Sequence, residues 1–299
     1  MRIPDTIYIG QQKTGSTFLR SYFSQHPRIV WRRHAAMFQL DPFPREDYLA
    51  RFAAEKECDC LVDMYEALAV GYRLGGTAQW DAGIAMAPDE VLDDRFMSPA
   101  QRDIAERIRA TLPEARILVT LRNQVDWLRS NYLHYVLALP PKRRRFGDFL
   151  QTREGKLLLA AGAYDRLLSG YRELFGPEKV HVILLEELAT DEVSVLCALC
   201  EFLGVDYMPF APSAHEHNAG IGPGRGALIW SYSALGISDD TARRLRPWFS
   251  WVERLAAGWL KSSLLSADEE AIIHAYYAVS NYHTSRILGR DLQPLGYIC

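Results

Sequence analysis

Short, nearly continuous apolar runs alternate with stretches in which apolar side chains recur every three or four positions. The first kind reads as buried β-strand at 6–9, 28–31, 60–64, 115–121 and 179–185. The second kind reads as helix at 15–26, 125–138 and 192–203, with Gly204 placed to cap the last of these. Strands that alternate with helices, and are apolar throughout, predict a mostly parallel central sheet of about five strands flanked by helices. Ligands of such sheets sit beyond the carboxyl ends of the strands, so the strand-to-helix turns are where chemistry is expected.

The first of those turns is the most informative. After the strand at 6–9 come Gly10, Gln11, Gln12, Lys13, Thr14, Gly15, Ser16 and Thr17, then Phe18, Leu19, Tyr22 and Phe23 on one helical face. A helix N-terminus offers outward-pointing N–H groups and partial positive charge. Lys13 adds a full charge, Gly15 allows close backbone approach, and Ser16 and Thr17 add hydroxyl donors. The composition of this turn suits a phosphate or a group shaped like one. It is not the nucleoside triphosphatase loop, in which Lys directly follows the second Gly. Here Lys13 precedes Gly15 by two positions and Ser16 takes the lysine slot.

The order Gly-x-x-Lys-x-Gly-Ser-Thr-Phe-Leu resembles the 5′-phosphosulfate loop of sulfotransferases that use 3′-phosphoadenosine 5′-phosphosulfate (PAPS). The likeness extends along the chain. Arg122, at the end of the run 115–121, and Ser130 eight residues later are similar to that family's 3′-phosphate site. A guanidinium grips phosphate oxygens bidentately and a hydroxyl fills a remaining acceptor. Gln124 replaces the usual Pro of this motif. Gly162 to Tyr164, the strand 179–185 with Glu186 at its end, and the Phe-Leu-Gly ending at Gly204 match the family outline. The tail from Leu265 through Tyr277 to Asn281 and Leu288-Gly-Arg-Asp-Leu resembles the family's closing helix, which implies a helical C-terminal extension. The glycine-rich segment from His217 to Arg225 resembles the loop that closes over the 3′-phosphate, with Asn218 and Arg225 as contacts.

The resemblance implies a single P-loop-like α/β domain over 1–299 that moves a sulfuryl group from PAPS to a hydroxyl of a carbohydrate or small-molecule acceptor. It implies donor binding by Gln12, Lys13, Thr14, Gly15, Ser16, Thr17, Arg122, Ser130, Asn218 and Arg225, with Lys13 also stabilising the leaving oxygen. The transferred group carries one negative charge, so no metal is expected. The general base belongs on the loop after the second strand, where His34 stands; His134, Asp63 and Glu66 are the alternatives. Family members of the carbohydrate type carry a Lys where Met64 stands here, and Arg32 or Arg33 are the substitutes within reach in sequence. The competing readings are a P-loop kinase, with Asp63 as its magnesium ligand, and a non-catalytic protein that binds PAPS or its product 3′-phosphoadenosine 5′-phosphate (PAP).

Composition narrows the setting. A formal net charge of −3 gives no general attraction to nucleic acid. No apolar run has the ~20 residues of a membrane span, and the N-terminus carries no signal-peptide pattern, so a cytoplasmic enzyme is expected. The sequence is compatible with a homo-oligomer. The five cysteines have no zinc-ligand spacing; Cys197 and Cys200 read as packing residues on the apolar side of their helix. The basic run Lys142 to Arg145 could steer an anionic acceptor, and the aromatic stretch 245–260 reads as a core or lid helix.

Overall fold

The computed structural model describes residues 2–55, 58–71, 74–75, 97–138, 146–150, 153–210 and 265–299. Asn218, Arg225, the basic run and the aromatic stretch 245–260 lie outside them. The elements in chain order are β1 (Thr6–Tyr8), α1 (Ser16–Gln25), β2 (Ile29–Arg32), β3 (Leu40–Asp41), α2 (Arg45–Ala50), β4 (Cys60–Met64), β5 (Leu74–Gly75) and α3 (Pro99–Thr111). They continue with β6 (Arg116–Leu121), α4 (Gln124–Ala138), α5 (Phe146–Leu150), α6 (Arg153–Ala161), α7 (Tyr164–Phe175), β7 (Val180–Leu184), α8 (Leu185–Thr190), α9 (Glu192–Leu203) and α10 (Ala267–Leu288).

Five strands form one parallel sheet in the order β2-β4-β1-β6-β7. β1 lies at its centre, pairing Thr6 with Val62 on one side and with Arg116 on the other. Its neighbours β4 and β6 are buried almost end to end, which explains why these strands read as apolar runs and not as alternations. One face packs against α1 and α9: Leu19, Tyr22 and Phe23 meet Val62, Met64 and Leu118 from the sheet and Leu196, Leu199 and Leu203 from α9. α7 covers β6 and β7 and packs on α3.

Local signals set the helix limits. Ser98 and Gln101 form a reciprocal capping box at the start of α3, with Pro99 in the first turn. Asp191 caps α9, and Gly204 ends it at φ 73°. The strand expected at 28–31 begins and ends one residue later. The short pair β3–β5 and the helix α8 were not legible, being too short to carry a period. One expectation about cysteine fails: Cys200 is buried beside Tyr22, whereas Cys197, one turn earlier on α9, is exposed.

The chain sorts into two compact units. The first, 1–123 with 160–217 and 278–299, holds the five-stranded sheet; the second is 124–159 with 218–277.

Candidate active site

All five strands of the sheet run the same way, so their carboxyl ends line one edge. Along that edge the turns present, in order, His34 after β2, Glu66 after β4, Lys13 after β1, Arg122 after β6 and Glu186 after β7. Adjacent strands lie about 4.8 Å apart, so Lys13 and Arg122 issue from neighbouring strands, and His34 starts roughly 10 Å from the Lys13 strand.

The central turn is held from beneath. Tyr8 Oη lies 2.6 Å from Thr120 Oγ1, which lies 2.7 Å from Thr14 Oγ1, and Thr14 donates to the carbonyl of Gln11 at 2.5 Å. The three hydroxyls are buried and link β1, the turn and β6. A Cβ on Gly10 would lie 2.1 Å from Tyr8 Oη and 2.7 Å from Thr120 Oγ1, so the hydroxyl chain requires glycine there. The Thr14 side chain therefore faces the core, and only its backbone N–H is available to an anion. Above it Lys13 adopts φ 65°, a left-handed conformation costly to a lysine, and burial lowers the pKa of its ammonium. Gln12 is half-buried in the same turn.

α1 begins at Gly15, φ 99°, with no side-chain cap and no acidic residue in its first turn. Its first N–H groups thus meet no anion from their own helix, the arrangement that favours an external one. Beside it Glu66 accepts from Arg20 Nη1 at 2.6 Å and from Ser16 Oγ at 3.4 Å, and Arg33 Nη2 stands 3.7 Å away. Arg20 also donates to Thr17 Oγ1 at 3.1 Å. Arg33 lies over the Tyr65 ring, 5.7 Å from its centroid, and is 54% exposed, whereas Arg32 is clamped by both oxygens of Glu55.

His34 is half-buried, its ring edge-on to Phe52 at 5.3 Å between centroids. Burial, then the charges of Arg51 and Arg32, push its pKa below the usual histidine value. Its backbone N–H donates to Asp63 Oδ1 at 2.7 Å, and Tyr48 Oη donates to Asp63 Oδ2 at 3.0 Å. Asp63 has 0% exposure, and burial raises its pKa to about 6 against those two donors. With each oxygen engaged and no exposed surface, Asp63 anchors the His34 loop and is not placed to meet a substrate. Met64 is likewise a core residue, packed among α1 and α9 side chains, so no cation is missing from that side chain's position.

At the other end of the row, Arg122 is half-buried and its Nη1 makes a long, 3.4 Å hydrogen bond to the carbonyl of Lys13. Its own carbonyl accepts from Tyr164 Oη at 2.7 Å, and the next N–H, of Asn123, donates to Glu186 Oε1 at 2.7 Å. Burial raises the pKa of Glu186. Ser130 lies in the second turn of α4, in the second unit, and is half-buried. Among the described residues no three His, Cys, Asp or Glu side chains cluster as metal ligands, and no helix is long and apolar enough to cross a membrane. Sequence reasoning missed Tyr8, Thr120, Asn123 and Tyr297 as supports. The bulk of Tyr8 beside Gly10 was the one signal available.

The chain matches the model of the sulfotransferase family over residues 4–209. Among solved structures, a sulfotransferase from Alicyclobacillus acidocaldarius is similar with a TM-score of 0.64 at 20% identity, covering 98% of this chain and 99% of that one. The sulfotransferase domain from the curacin biosynthetic pathway (TM-score 0.48, 15% identity, 97% and 99% covered) is more distant. So is a mouse sulfotransferase complexed with PAP (0.48, 14%, 97% and 88%). None of the curated proteins matches. A family match over more than two thirds of the chain means that this protein belongs to the sulfotransferase family.

Proposed function

We propose that the protein transfers the sulfuryl group of PAPS to a hydroxyl of a carbohydrate or small-molecule acceptor. The observation that supports this most is the order of side chains along the strand ends: an anion-binding turn at the centre, a guanidinium one strand away on one side, and a histidine two strands away on the other. A nucleotide with phosphates on both its 5′ and 3′ sides suits the first two, and an acceptor suits the third. Residues 1–299 are assigned as one sulfotransferase domain by the same resemblance that assigns the donor residues.

In this reading the N–H groups from Gln12 to Thr17 and the Lys13 ammonium hold the 5′-phosphosulfate, with the Ser16 and Thr17 hydroxyls beside them. Arg122 holds the 3′-phosphate. Ser130, Asn218 and Arg225 are assigned to that phosphate by resemblance alone. His34, neutral at pH 7, takes the proton from the acceptor hydroxyl. The S–O bond to the phosphate oxygen breaks as the S–O bond to the acceptor forms, and Lys13 stabilises the charge left on the PAP phosphate. Arg33, directly after β2 and more exposed than Arg32 at its end, supplies the further cation that members of the carbohydrate type take from a lysine. The charge on the sulfuryl group calls for no metal. The composition fits a cytoplasmic enzyme without affinity for nucleic acid.

The kinase alternative needs a magnesium-holding carboxylate, and Asp63 is committed to His34 and Tyr48. The deciding experiment incubates the protein with PAPS labelled in its sulfuryl group and a panel of sugar, phenol and alkanol acceptors. Labelled product with equimolar PAP, unaffected by chelation of magnesium, is expected. Magnesium-dependent consumption of ATP with no label transfer would contradict it.

A further inference from the structure

The Arg122 turn is held from a distance in sequence that a strand-end arginine does not require. Glu186 accepts from the Asn123 N–H with one oxygen and from Tyr297 Oη with the other, at 2.7 and 3.2 Å. The Asn123 side chain donates to the carbonyl of Gly296 at 2.6 Å, spanning 173 residues. Tyr164 Oη donates to the Arg122 carbonyl at 2.7 Å. Tyr297 is 1% exposed, and Gly296 takes a left-handed φ of 85° directly beside the Asn123 amide, where an added Cβ would lie 3.5 Å from Nδ2.

We propose that Glu186 and Tyr297 are positioning residues for the 3′-phosphate, acting through the Arg122–Asn123 backbone. This rests on the assignment of Arg122 to that phosphate. Stability alone explains the cluster poorly. Withdrawing a carboxylate from water is costly, and well-packed apolar side chains of similar volume would do as well or better at holding a turn. A carboxylate steadied by Tyr297, together with Tyr164, holds both the N–H and the carbonyl of the single Arg122–Asn123 peptide group and so defines the direction in which Arg122 leaves the strand. A bidentate phosphate contact depends on that direction far more than a packing contact does. The segment carrying Gly296 and Tyr297 thereby belongs to the nucleotide site without touching the nucleotide.

The test is calorimetric titration with PAP and with adenosine 5′-phosphate, which lacks the 3′-phosphate, on wild type and on Arg122→Ala, Tyr297→Phe and Glu186→Gln, each checked for folding by thermal melting. Wild type should prefer PAP, and Arg122→Ala should lose that preference; a wild type without it would remove the assignment on which the inference rests, and the inference with it. Tyr297→Phe should weaken PAP roughly 3- to 10-fold, the size of one lost hydrogen bond, while adenosine 5′-phosphate binds as before. Adding Tyr297→Phe to Arg122→Ala should cost nothing further, because both act on one contact. If Tyr297→Phe does not fold, Glu186→Gln carries the same comparison. The inference is overturned if a folded variant loses both nucleotides equally, or if PAP binding stays at the wild-type level.

Discussion

Thr120 Oγ1 stands 2.7 Å from Thr14 Oγ1, so a residue of β6 fixes the turn that follows β1. The contact joins the two strands whose ends carry Arg122 and Lys13. Thr120→Val keeps the shape of the side chain and removes the hydroxyl, leaving Tyr8 and Thr14 each short of a partner in a buried site. Unfolding by denaturant should show a loss of about 1–3 kcal/mol, with weaker PAP binding. Unchanged stability would mean that the hydroxyl chain does not hold the turn.

Gly10→Ala should be worse, because the added methyl meets the phenol of Tyr8 at 2.1 Å and Tyr8 is buried with no room to turn away. A loss of about 3 kcal/mol or failure to accumulate as folded protein is expected. A variant with wild-type melting temperature would contradict the geometry of this turn.

Lys13 has two separable properties, its charge and its backbone. Lys13→Ala and Lys13→Gly should each lower turnover by about 100-fold or more with a much smaller effect on PAP affinity, since the ammonium acts on charge that develops during transfer. Only glycine relieves the φ of 65°. Lys13→Gly should therefore be more stable than Lys13→Ala by about 0.5–1 kcal/mol, measured by chemical denaturation. Equal losses of turnover and affinity would reduce Lys13 to an anchor.

The pH dependence follows from the direction of the His34 shift. Burial and two arginines disfavour the imidazolium, so the neutral, proton-accepting form persists to lower pH than for a free histidine. The acid limb of kcat/KM should therefore have its midpoint below about 6.5. It should vanish in His34→Asn, along with most of the activity. A midpoint well above 7, or an unchanged limb in the variant, would assign the base elsewhere.

Arg32 and Arg33 are adjacent in sequence and different in setting. Arg32→Ala breaks a bidentate pair with Glu55, and its effect should appear mainly in stability. Arg33→Ala removes only a 3.7 Å contact from Glu66, which keeps Arg20 at 2.6 Å, so it should lower kcat by about 10-fold and leave the unfolding midpoint in place. The reverse pattern would exclude Arg33 as the second cation.

The sheet was legible because its inner strands β4, β1 and β6 are buried on both faces. Runs such as Ile117 to Leu121 have no polar alternation to confuse with helix, and Gly10 and Gly204 mark ends by backbone chemistry. The turn between β1 and α1 was legible for a related reason, since Gly10, Gly15 and the start of the helix are features of local backbone. What the sequence did not disclose are contacts between distant positions: Thr14 with Thr120, Asp63 with Tyr48, Asn123 with Gly296. Thr14 was expected to face a ligand and faces the core, because one hydroxyl looks like another until the strand beside it is placed. Met64 invited a comparison with a lysine, and only the packing of α1 against β4 makes it a core residue.

The claim most exposed to refutation is that Lys13 and Arg122, on adjacent strand ends, serve one nucleotide. Calorimetric titration of PAP into wild type, Lys13→Ala and Arg122→Ala measures it most directly. A single site of micromolar affinity or better, weakened about 100-fold by Arg122→Ala and only a few-fold by Lys13→Ala, is expected. Absence of binding, or equal affinity in wild type and Arg122→Ala, would contradict it.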